Sequence, residues 1–168
     1  MRALKILALV LVGLAVFGPD KAGAATAVPG VAGPAYDTSP DANTRFLADY
    51  AARPNVKKLP DGLMYRVLKS GDGPTPQKNS DVATVYYKGT LITGKVFDQT
   101  KPEEPTPLQV GGVIPGWSEA LKLMKTGDTW ELVIPSNLAY GSDGFSDRIP
   151  PDQTLVFLIN LAKVEYAP

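Results

Sequence analysis

The sequence predicts an α+β fold in which an antiparallel sheet wraps a single short helix. Apolar residues alternate in several short stretches: Leu63, Tyr65, Val67; then Trp130, Leu132, Ile134; then Leu155, Phe157, Ile159, Leu161. One stretch among them has helical spacing instead, with Trp117, Ala120, Leu121 and Met124 at i, i+3, i+4 and i+7. Turn residues punctuate the rest, as at Gly71-Asp72-Gly73-Pro74. Several strands and one amphipathic helix fit a sheet packed on a helix.

The elements follow in chain order. Arg2 and Lys5 precede an apolar run from Ile6 to Phe17, and Ala22-Gly23-Ala24 and Ala25-Thr26-Ala27 offer small-residue cleavage sites. A charged start, short apolar centre and small-residue end predict a signal peptide over residues 1–24. The run falls short of the ~20 apolar residues of a membrane span. The predicted location is therefore outside the cytoplasm, in a bacterial periplasm. Residues 25–59 read as a linker with a short helical arm. Its first part is rich in Ala, Gly and Pro. Phe46, Leu47 and Tyr50 then mark a helix capped by Asp41 or Asn43 and ended by Pro54.

From residue 60 to 168 the chain reads as one domain. Val82 to Thr90 is rich in β-branched and aromatic residues, with Val85 and Tyr87 on one face. Gly94 turns the chain into Val96-Phe97, and Gly127 is expected to end the central helix. Two loops stand out, the proline-dense Gln99 to Pro107 and the Gly- and Asp-rich Gly141 to Pro151.

Composition excludes several function classes. Hydrophobic content is 44%, charged content 20% and formal net charge zero, with no basic stripe for nucleic acid. There is no cysteine, hence no disulfide framework, no thiolate and no lipid-bearing cysteine. There is no histidine, so neither a Ser-His-Asp triad nor an HExxH zinc site can be built. No metal site and no cofactor loop is expected.

Five segments then occur in a fixed order: Tyr87-Lys88-Gly89, Val96-Phe97-Asp98, Val113-Ile114-Pro115-Gly116-Trp117, Leu138-Ala139-Tyr140-Gly141, and the run from Ile149 to Phe157. Together they resemble the FKBP family of peptidyl-prolyl cis/trans isomerases, in its secreted bacterial type, from about Pro60 to Glu165. The resemblance implies a β half-barrel around the helix and an isomerase that assists folding of exported proteins. Residues 46–52 look like the tail of the helical arm in dimeric members. Here the arm is too short to pair, so a monomer is expected, without membrane attachment once the signal is removed.

The resemblance also places residues in one apolar pocket. Trp117 would form its floor, and Tyr87, Phe97, Val113, Ile114 and Phe157 its walls. Phe145 and Ile149 would meet substrate from the second loop. Tyr140 would offer its hydroxyl to a substrate carbonyl, and the Ile114 N–H another donor. Asp98 either meets the substrate carbonyl or holds Tyr87. Thr106, Phe145 and Arg148 depart from the usual family residues at the rim, which bears on substrate preference and macrolide affinity.

Such a pocket has a physical reason to act on proline. Amide resonance makes the X-Pro bond resist rotation, and exchange takes roughly tens to hundreds of seconds. A twisted amide has lost that resonance and its charge separation, so an apolar site favours it relative to water. Proline-containing polypeptides are the expected partners and FK506-type macrolides the expected inhibitors. An apolar rim would favour Leu or Phe over Glu before the proline. The alternative reading is a proline-segment-binding chaperone or assembly module with little turnover.

Overall fold

The computed structural model describes residues 36–168; the expectations for the signal peptide and most of the linker lie outside the described residues. Helix α1 spans Pro40–Ala51, followed by β1 (Lys57–Lys58), β2 (Met64–Lys69), β3 (Val82–Leu91), β4 (Val96–Gln99) and β5 (Thr106–Gln109). Helix α2 spans Pro115–Leu123, and β6 (Thr129–Ile134) and β7 (Leu155–Glu165) complete the chain. The strands form one antiparallel sheet in the order β1-β2-β6-β7-β3-β4. The outer edge of β3 is shared: residues 82–85 pair with β5 and residues 88–90 with β4. The fold is α+β, an open sheet wrapped on α2. Among the described residues no helix is long and apolar enough to cross a membrane.

Strand alternation builds the inner core. Tyr65, Ala83, Val85, Trp130, Leu132, Ile134, Phe157, Ile159 and Leu161 pack with Trp117, Ala120, Leu121 and Met124 in one buried cluster. Each large aliphatic side chain buried this way contributes about 1.5–3 kcal/mol. Helix α2 begins with Pro115 at its first position, where the missing N–H costs nothing. It ends at Leu123, earlier than the expected stop at Gly127. Met124 turns to an extended conformation (ψ 145°) and is fully buried. Gly127, at φ +97°, shapes the next turn instead, in which Lys125 N–H donates to buried Asp128 at 2.8 Å.

The other face of the sheet is covered too. Ala42, Phe46 and Tyr50 of α1 pack on Met64, Val133 and Val156, so β6 is buried on both faces. That is why Val133 and Glu131, between the inward Trp130, Leu132 and Ile134, are also buried. Val67, expected inside by alternation, is exposed at 37%, where β2 leaves the covered region. The cap of α1 is neither Asp41 nor Asn43. Ser39 takes that place, its Oγ accepting from Ala42 N–H at 3.2 Å, because Pro40 supplies the first helical position. Asn43 is buried inside the first turn, and its Oδ1 accepts Thr154 N–H at 2.8 Å.

Glu131 is a buried carboxylate with two partners. Tyr50 Oη donates to its Oε1 at 2.8 Å, and Arg66 pairs with the same oxygen at 3.1 Å. Burial, followed by the Glu131 charge, pushes the Tyr50 phenol far up, so it remains a donor. A carboxyl pair, Glu119 and Asp61, joins α2 to the β1–β2 turn. Glu119 is pushed up to about 7, first by its hydrogen bond with Asp61, then by burial and the Asp61 charge. The same bond holds Asp61 below its usual range.

Two outcomes are expected. Tyr50→Phe leaves Glu131 one donor short and should cost about 1.5–3 kcal/mol, read as a lower urea midpoint; an unchanged midpoint refutes the bond's role. The raised Glu119 pKa stabilises the fold fully below its ordinary 4.5, and that contribution is lost as pH rises through about 7. Asp61 has the opposite sign and acts only as pH falls below its ordinary 3.8. The decline in urea midpoint between about pH 5 and pH 8 should therefore flatten in Glu119→Gln, and parallel pH curves would contradict the pair.

Candidate active site

An aromatic cluster closes the core where β3, β4, α2 and β7 meet. Phe157 is its centre, 5.1 Å from Trp117 and 5.5 Å from Phe97 between ring centroids, both edge-on. Tyr87 stands edge-on to Trp117 at 5.1 Å and lies 6.4 Å from Phe157. Edge-to-face contacts of this kind add about 0.5–1.5 kcal/mol each beyond burial. Trp117 and Phe157 are each 4% exposed, whereas Tyr87 and Phe97 are half-buried and lie between core and solvent.

Outside this cluster lies an open cleft lined by Phe97, Asp98, Tyr140, Phe145, Arg148 and Ile149. The empty space over it, open solvent included, is about 260 Å³. Phe97 belongs to both cluster and cleft. Trp130, by contrast, stacks on Tyr65 at 4.2 Å and 4° and is a packing residue. Among the described residues no group of acidic side chains is placed to hold a metal ion.

The polar groups are few. Tyr87 Oη donates to Asp98 Oδ2 at 2.6 Å, and Asp98 Oδ1 accepts the Gln99 N–H at 2.9 Å. Of the two roles the sequence leaves open for Asp98, this geometry contains the one that holds Tyr87. Burial, then the hydrogen bond and charge of Asp98, push the Tyr87 phenol up and keep its proton. Tyr140 is also shifted up, by burial and then by the Asp98 charge. Among the described residues the Tyr140 hydroxyl has no hydrogen-bond partner. The Ile114 N–H is likewise unbonded among them, while its carbonyl accepts from Trp117 and Ser118.

The structure thus brings most of the predicted site residues together in two layers. Tyr87, Trp117 and Phe157 form the inner layer, and Asp98, Tyr140, Phe145 and Ile149 the outer, with Phe97 in both. Val113 and Ile114 lie half-buried against the same core but are not part of the cleft lining. Thr106 does not reach the lining either; it sits on β5 opposite Val85. Nor is the rim apolar, because Arg148 and Asp98 both line it. Phe145, 54% exposed, stacks on Tyr140 at 4.9 Å. Gly89 carries a role that its place in the Tyr87-Lys88-Gly89 segment did not reveal. It pairs with Phe157 on one side and Asp98 on the other. A Cβ there would lie 2.7 Å from the rings of both Phe157 and Phe97. A glycine inside a strand is the signal that marks such a close approach.

Residues 73–162 match the family model described as FKBP-type peptidyl-prolyl cis-trans isomerase. The Outer membrane protein MIP of Legionella longbeachae is 47% identical over 123 residues, covering 73% of this chain and 52% of that protein. The FKBP-type 22 kDa peptidyl-prolyl cis-trans isomerase of Escherichia coli K12 is 44% identical over 121 residues, covering 71% and 58%. The crystal structure of FkpA from Escherichia coli superposes with a TM-score of 0.71 at 45% identity, covering 75% of this chain and 59% of that one. A peptidyl-prolyl cis-trans isomerase structure from Pseudomonas syringae gives 0.70 at 42% identity, covering 75% and 92%. The chain spans about half the length of the curated relatives it matches.

Gly89→Ala should push the Phe97 and Phe157 rings apart. Overpacking of this kind costs about 1–3 kcal/mol and should alter the near-ultraviolet circular dichroism of the cluster. A variant with native spectrum and midpoint would show that the rings yield freely.

Proposed function

The chain belongs to the family of FKBP-type peptidyl-prolyl cis-trans isomerases, and from that premise we propose that it catalyses cis/trans exchange of X-Pro bonds in polypeptides. The observation that carries this reading is the half-buried Phe97 and Tyr87 standing over Trp117 and Phe157, with the unpartnered Tyr140 hydroxyl beside them. A proline ring seated on these aromatics leaves water, and the twisted amide gains relative to the planar one. Tyr140 Oη and the Ile114 N–H donate to the carbonyls on either side of the bond, fixing the chain while it rotates. Val113 and Ile149 close the apolar surround, and Phe145 covers the outer end. Asp98 acts as a positioning residue through its bond to Tyr87 Oη. Lowering the barrier by about 5–7 kcal/mol in this way would accelerate exchange roughly 10⁴–10⁵-fold.

The charged and apolar start of the sequence supports export, so the substrates in this reading are proteins that fold outside the cytoplasm. The protein works as a monomer, because α1 spends its apolar face on its own sheet. FK506-type macrolides compete for the same aromatic surface, and Arg148 on the lining weakens them relative to an apolar rim.

The purified protein should accelerate exchange of a short X-Pro peptide in a protease-coupled assay; background rates from folded protein refute the reading. Tyr140→Phe should lower kcat/KM by roughly three- to tenfold, the worth of one hydrogen bond, with little change in urea midpoint. Asp98→Leu should lower kcat/KM and the urea midpoint together; activity lost at full stability would instead mean that the carboxylate meets substrate.

A further inference from the structure

Arg148 is the one cation on the cleft lining among the described residues. Its backbone position is fixed. Phe145 and Ile149 exchange both N–H···O bonds, at 2.8 and 3.1 Å, closing a tight turn over Ser146, Asp147 and Arg148. Phe145 is stacked on Tyr140, and Gly144 lies so close to the Ile149 carbonyl that a Cβ would sit at 2.4 Å from it. The guanidinium, however, is uncommitted. Among the described residues the guanidinium makes no ion pair and no hydrogen bond; only the Arg148 backbone N–H donates, to Ser146 Oγ at 3.4 Å. The one acid on the lining, Asp98, already accepts from Tyr87 and Gln99. Asp143 and Asp147 in the loop, and Asp152 just after it, do not line the cleft.

We propose that Arg148 determines sequence preference by binding the carboxylate of an acidic residue adjacent to the substrate proline. The inference rests on the isomerase reading above and adds a substrate class to it. A peptide whose proline enters the cleft carries its neighbouring side chain past the rim. There a carboxylate meets a planar donor suited to two parallel hydrogen bonds. The gain is that of a partly exposed ion pair, and it is screened by salt.

The test uses two peptide series in the coupled assay, with Glu, Gln or Lys before the proline in one and after it in the other. Glu should exceed Gln in kcat/KM by roughly two- to fivefold in at least one series, with Lys below Gln. High salt should bring that ratio towards one. The Glu/Gln ratio should fall to one in Arg148→Gln and below one in Arg148→Glu, circular dichroism reporting whether the fold is native. Acceleration of the Gln peptides with a Glu/Gln ratio of one in both series overturns the role of Arg148 and leaves the isomerase reading standing. A ratio that persists in folded Arg148→Gln overturns it as well. Folded protein that accelerates none of the peptides overturns both.

Discussion

The register of β7 is the constraint on which the rest depends. Val156 and Phe157 are neighbours in sequence, yet alternation sends them to opposite faces and into separate cores. Phe157 is the centre of the aromatic cluster, while Val156 seats α1. A slip of one residue would exchange them, placing a small aliphatic side chain where three rings converge and a ring beneath α1. The long ladder to β3 on one side and β6 on the other holds this register, and Gly89 gives the Phe157 ring its space.

Buried charge has a consistent use in this molecule. Asp81 is fully buried and accepts from Gln77, Lys78 and Ala167 backbone N–H groups, tying the chain's end to the loop before β3. Asp128 joins the Gly71 loop to the turn after α2, and Glu131 joins α1 to the sheet. Each carboxylate fastens segments that lack ladder hydrogen bonds to one another, and each has donors enough to offset its desolvation.

Most of the inner architecture was legible because period-two and helical spacings are local signals. Trp117, Ala120, Leu121 and Met124 announce one face of a helix, and the alternation through Leu155 to Leu161 announces one face of a strand. The outer core was less legible. On β6 a second covered face overwrites the alternation, and nothing local to Val133 or Glu131 says that a helix some 80 residues earlier lies across them. The cap of α1 was missed because Asp41, Asn43 and Ser39 are all competent cap residues, and Pro40 is what selects among them. Within the site, the aromatic positions were visible through their motifs. The separation of Val113, Ile114 and Thr106 from the cleft lining depends on how loops fold back over the sheet, which spacing does not encode. Arg148 stood out only as a departure, and its lack of a partner is a property of three dimensions.

One clasp gives the N-terminal helix a reach beyond its own contacts. The loop that carries Tyr140, Phe145 and Arg148 re-enters the sheet at Gln153 and Thr154, and there it is fastened to α1 rather than to the inner core. Thr154 N–H donates to Asn43, Asn43 in turn meets Gln153, and Gln153 donates to the carbonyls of Thr38 and Pro151. The start of α1 and the exit of the cleft loop therefore form one cooperative unit. If the first turn of α1 frays, the loop loses its tether at the same moment, and opening of the cleft becomes linked to undocking of the arm. Tension or binding applied to the chain ahead of Thr38 would thus be felt at the mouth of the cleft.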